Sequence, residues 1–128
     1  MIELLKWFLV IFTLMIIQGC SNEKMAYDPI LVQNGLELFD AKCIACHAIS
    51  ERPKVGPGLA NVTERKSDEW IAQFVRNSSE LILSGDVDAV AIFNEYNQIP
   101  MPAYELSDNE MKSLLSYLRS IKGTSEFD

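Results

Sequence analysis

Apolar positions in the middle and at the end of this chain recur at helical spacing. Leu31, Gly35, Leu38 and Phe39 fall at i, i+4, i+7 and i+8, which predicts a helix from about Pro29 to Lys42. Trp70, Ile71, Phe74 and Val75 form a second apolar face, over about Ser67 to Asn77. Ala89, Ile92, Phe93 and Tyr96 repeat the i, i+3, i+4, i+7 pattern and predict a third helix over about Asp86 to Tyr96. The last helix carries the fullest set of signals. Ser107 and Glu110 are spaced for a capping box, and Leu106 and Met111 for a hydrophobic staple. Met111, Leu114, Leu115, Leu118 and Ile121 share one side, and Gly123 suits a C-terminal stop. No segment alternates with the two-residue period of a strand, so the expected fold class is all-α, with about four helices.

The first residues follow a different pattern. Trp7 to Ile17 is apolar except for Thr13, with Lys6 as a modest positive flank and Glu3 as an atypical neighbour. The run is short for a membrane span and suits a signal-peptide core. It leads into Ile17-Gln18-Gly19-Cys20, which resembles the lipobox of bacterial lipoproteins. The resemblance implies cleavage before Cys20 and acylation of that cysteine, which anchors a protein stably when more than one chain is attached. The layout expected from it is a signal peptide over 1–19, a lipid-anchored tether over 20–29, a domain over 30–123 and a tail over 124–128. An uncleaved anchor helix, or a plain secretory signal with a chance cysteine, are the alternatives. The expected location is outside the cytoplasm, in the bacterial periplasmic space and held at a membrane.

Cleavage would leave 109 residues, enough for one small domain. The net charge of −7 is unevenly spread: residues 42–66 carry +3, residues 20–41 carry −3 and residues 67–128 carry −7. Such asymmetry can orient a redox partner during encounter, or be ordinary solvated surface charge. Nothing in it suggests nucleic-acid binding.

The chemistry concentrates in Cys43-Ile44-Ala45-Cys46-His47, a C-x-x-C-H pattern that attaches c-type haem. Two thiols three positions apart can each add to a vinyl group of one porphyrin, and the adjacent imidazole can bind the iron. A structural zinc site needs four Cys or His ligands, and the chain has three cysteines and one histidine, with Cys20 assigned to lipidation. A redox C-x-x-C would sit beside a βαβ pattern, which is missing here. A disulfide between Cys43 and Cys46 would leave His47, the sole histidine, without a role.

With these features together, the chain resembles a small mono-haem, class I-type cytochrome c over about Ile30 to Ile121. The resemblance implies an all-α cytochrome c-like fold around one covalently attached haem c. It implies that Gly35 and Phe39 pack against Leu114 and Tyr117 of the last helix, glycine permitting close backbone approach. In Gly56-Pro57-Gly58-Leu59 it implies that the Pro57 carbonyl accepts the Nδ1 proton of His47 and that Leu59 lines the haem face. Met101, in Ile99-Pro100-Met101-Pro102, stands where the family carries its axial methionine, and the two prolines restrict the backbone there. The alternative for Met101 is a gap-filling core methionine. Trp70 and Tyr104 are candidates for contact with the macrocycle or a propionate, or for plain packing.

Histidine–methionine ligation leaves iron no open position, which implies an electron carrier rather than an enzyme. The expected partners are redox proteins, such as a membrane oxidase, reductase or dehydrogenase, and the membrane itself through the anchor. A haem subunit docked permanently in a larger oxidoreductase, or a ligand-binding or catalytic haem protein with Met101 displaced, are the alternatives.

Overall fold

The computed structural model describes residues 28–122. Cys20, the signal segment, most of the tether, Gly123 and the tail lie outside the described residues. Within them the chain forms five helices: α1 Pro29–Lys42, α2 Val62–Arg65, α3 Asp68–Leu83, α4 Val87–Glu95 and α5 Asp108–Ser120, with no strand. The all-α expectation holds, with one short helix, α2, added between the first two predicted.

The helix starts follow local capping chemistry. Asp28 accepts from Ile30 N–H with Pro29 in the first turn, Ser67 accepts from Trp70 N–H, and Asp86 accepts from Ala89 N–H. Ser107 and Glu110 form the reciprocal capping box of α5.

The second helix runs past its predicted end. Asn77, with φ −161° and ψ 83°, breaks α3 into two segments, and its Oδ1 accepts from Glu80 N–H as a new cap. The second segment ends at Gly85, whose φ of 81° is left-handed, with Asp86 N–H and Gly85 N–H reaching back to Leu81 O and Ile82 O. That is a Schellman close. The apolar pattern stops at Asn77 because this second segment, Ser78 to Leu83, is half polar and largely at the surface.

Helices α1 and α5 make the most extensive packing, while α3 packs on α4 and α2 on α5. Gly35 is buried at the α1–α5 crossing, where a β-carbon would stand 2.1 Å from Ser113 O and 2.6 Å from Tyr117 Cβ. Phe39 is fully buried, its ring centroid 5.4 Å from that of Tyr117. Around it gather Ile71, Met111, Leu114, Leu115, Leu118 and Ile121. Among the described residues no helix is long and apolar enough to cross a membrane.

Candidate functional site

The C-x-x-C-H segment continues directly from the end of α1. Cys43 N–H and Ile44 N–H both donate to Phe39 O, at 2.8 and 3.0 Å, and Cys46 and His47 N–H both donate to Cys43 O, at 3.0 and 2.9 Å. The segment is thus a run of tight turns anchored on a buried residue. Lys54 Nζ donates to Ile44 O at 2.7 Å, and Gly56 N–H to Cys46 O at 3.0 Å, closing the following loop back on the motif. Of the two cysteines, Cys43 is half-buried and Cys46 exposed. Burial pushes the Cys43 thiol pKa up, an effect opposed by the positive charge of Lys42.

His47 is held on two sides. Its Nδ1 lies 2.8 Å from Pro57 O, and since a carbonyl can only accept, Nδ1 carries the proton and Nε2 the free lone pair. Gly56 lies against the ring, where a β-carbon would come within 2.7 Å of Cε1 and 3.3 Å of Nε2. Leu59 N–H donates to Ala48 O at 2.9 Å, which completes the loop and turns Leu59 to the cavity wall.

Between the α1–α5 pair and the α3–α4 pair is a largely apolar cavity of about 320 Å³. Cys43, His47, Pro57, Leu59 and Met101 all line it, as does the whole apolar face of α3, Trp70, Ile71, Phe74 and Val75. A second hollow of about 190 Å³ shares His47, Pro57 and Met101 and adds Cys46. Arg65 and Lys66 are the cationic residues on the larger cavity's wall. Arg65 donates to Gly58 O at 3.3 Å, and Lys66 pairs with Asp88 and lies 5.1 Å from the centroid of the Trp70 ring.

Trp70 lines the cavity, stacked on Phe74 at 4.9 Å, and its indole N–H is taken by Asp86 Oδ1 at 3.0 Å. Tyr104 is not a lining residue. Its hydroxyl donates to Lys42 O at 3.0 Å, tying the Met101 segment to the end of α1. Left-handed Asn97 and Gln98 turn the chain out of α4, with Gln98 N–H donating to Phe93 O, and deliver Ile99-Pro100-Met101-Pro102 to the cavity. Beyond it Tyr104 N–H donates to Val75 O at 3.1 Å, and Ser78 Oγ donates to Met101 O at 2.7 Å.

Three of these contributors were not legible beforehand. Ser78 belongs to no apolar pattern, and the role of Asp86 toward Trp70 depends on how α3 and α4 pack. Gly56 was visible only as half of a Gly-Pro turn. For the length of α3, Gly85 just ahead of Asp86 was the available signal.

The donor set is two thiols, one imidazole with its Nδ1 proton already placed, and one thioether, around an apolar space. Such soft, mostly neutral groups fit a haem, whose iron accepts His and Met and whose ring needs apolar walls. Among the described residues no cluster of three or more His, Cys, Asp or Glu could hold a bare metal ion.

Comparison with known proteins agrees. The cytochrome c family profile matches residues 32–122. A cytochrome c-553-like protein of Synechocystis sp. is 28% identical over 120 residues, covering 87% of this chain and 97% of that protein. Cytochrome c oxidase subunit 2 of Bacillus subtilis is 27% identical over 113 residues, 83% of this chain but 31% of the subunit. The solved cytochrome c of Rhodothermus marinus superposes with a TM-score of 0.68 at 31% identity, covering 81% of this chain and 85% of that one. The chain therefore belongs to the cytochrome c family, electron carriers that hold one covalently attached haem c.

Proposed function

We propose that this protein is a membrane-tethered mono-haem cytochrome that passes single electrons between redox proteins outside the cytoplasm. Haem supplies a one-electron ferric/ferrous couple. In this reading Cys43 and Cys46 would tie the ring covalently, and His47 Nε2 and Met101 Sδ would be the protein's ligands to its iron. Pro57 O holds the His47 ring in one tautomer and raises its basicity. Leu59 and the apolar face of α3 exclude water. With His47 and Met101 both bound to the iron, no open position would remain for a substrate, and the thioether would raise the potential. The observation that carries the reading is that His47 and Met101 line the same two hollows, with Cys43 on one and Cys46 on the other.

The tether belongs to the same proposal. It rests on the apolar run 7–17 and on Ile17-Gln18-Gly19-Cys20, with 1–19 as signal peptide, 20–29 as tether from an acylated Cys20, 30–123 as the haem domain and 124–128 as tail. A periplasmic location follows from such an anchor, and the anchor would raise the effective concentration near membrane partners.

The test is the visible spectrum of the haem-loaded protein with carbon monoxide added after reduction. The expected result is a low-spin spectrum with the weak red methionine–iron band and no carbon monoxide shift. High-spin iron that binds carbon monoxide readily would replace the carrier with a ligand-binding protein. Met101→Ala should open the iron to carbon monoxide and lower the potential by on the order of 0.1 V, a fraction of the ~0.8 V that axial ligands command. An unchanged potential in redox titration would remove Met101 from the iron.

A further inference from the structure

Ser78 is the most deeply buried polar side chain among the described residues, at 0% exposure, and it lies in the second segment of a broken helix. A serine inside a helix ordinarily faces solvent or bonds the carbonyl four residues back. Ser78 does neither, and donates instead to Met101 O, across 23 positions of sequence, at 2.7 Å. Ser78 directly follows the break at Asn77, and just ahead of the break the Val75 carbonyl receives Tyr104 N–H. One irregularity in α3 therefore holds the Met101 segment at two points, at residue 101 itself and three residues on. The segment needs such outside support, because Pro100 and Pro102 have no N–H to donate and cannot form ordinary turn bonds of their own.

We propose that Ser78 is a positioning residue for Met101, its hydroxyl holding the main chain of that residue so that the thioether stays on the iron. This rests on the reading of Met101 as axial ligand. The hydrogen bond is worth most when Met101 is seated and is lost when the segment swings away. Ser78 thus acts on the equilibrium between closed and open iron, and so on how well the protein excludes outside ligands.

The experiment is titration of the ferric, haem-loaded protein with imidazole, followed by the shift of the main haem absorption band and, where Met101 is present, by loss of the red methionine–iron band. Ser78→Ala should bind imidazole about five- to tenfold more tightly than wild type, the effect of one lost buried hydrogen bond. Ser78→Cys, nearly the same shape with a weak donor, should fall between the two, and serves alone if the alanine variant does not fold. In a Met101→Ala background the Ser78→Ala change should have less than a twofold effect, since there is no thioether left to seat. An imidazole affinity within twofold of wild type in Ser78→Ala overturns the proposal. So does a lowered denaturant midpoint with imidazole affinity unchanged, the mark of a merely structural hydroxyl. If Met101→Ala keeps the red band, the axial reading fails and Ser78 with it. If Met101→Ala loses the band and Ser78→Ala is unchanged, only Ser78 fails.

Discussion

At position 56 a β-carbon would stand 2.7 Å from His47 Cε1, so the imidazole lies against bare backbone on one side while Pro57 O takes its Nδ1 proton. The two adjacent residues thereby control both the plane and the tautomer of the only histidine in the chain. Gly56→Ala should force the ring or the loop to shift. Overpacking of this kind costs about 1–3 kcal/mol, readable in denaturant unfolding of the haem-loaded protein. A variant as stable as wild type would show that the loop yields freely. The chemistry of His47 was legible from C-x-x-C-H, and Pro57 from its place soon after. The packing of Gly56 was not, since contact with a ring nine residues away depends on how the loop closes.

Among the elements, α3 departs furthest from its pattern. Its apolar face predicts the first segment well, because burial against the cavity selects Trp70, Ile71, Phe74 and Val75. The continuation beyond Asn77 depends on capping by Asn77 and Gly85 rather than on burial, so periodicity is silent there. At the junction with α4, Asp86 caps one helix through Ala89 N–H and holds Trp70 of the other. The Ala89 N–H first, and then the Trp70 N–H, hold the Asp86 carboxyl below its ordinary pKa. A carboxylate with a depressed folded-state pKa stabilises the fold above its unfolded pKa, about 3.9. That contribution is lost as pH falls through the lower folded value. Asp86→Asn should therefore be less stable than wild type at pH 7, with the gap closing as the pH drops below about 4. Thermal unfolding at several pH values checks this, and a gap constant down to pH 3 would contradict it.

Across the whole molecule, the α1–α5 pair and the α3–α4 pair meet around the cavity, with Ile71 and Ala72 of α3 joining the common core. The first pair closes directly through Gly35 and Phe39, while the second faces the first largely across the haem space. Without haem the α3–α4 pair loses its main apolar partner, and local stability follows the contacts that remain. In a haem-free Cys43→Ala/Cys46→Ala chain, α3 and α4 amides should exchange quickly while α1 and α5 keep the most protection. Hydrogen exchange read by mass spectrometry tests this, and equal protection in all four helices would refute it. The basic region is also partly structural: Lys54 and Arg65 bond loop carbonyls, and Lys66 pairs with Asp88.

By itself the sequence determined the helix faces, the capping box of α5, the attachment motif and the candidate methionine. Each of these is local, set by spacing along the chain and by side-chain chemistry within one or two turns. Tertiary structure alone decided that Trp70 gives its N–H to Asp86 rather than to the cavity, and that Tyr104 ties a loop instead of lining the site. It likewise decided that a buried serine supports Met101. Those outcomes are contacts between residues 16 to 62 positions apart, and such pairings exist only once the helices have packed.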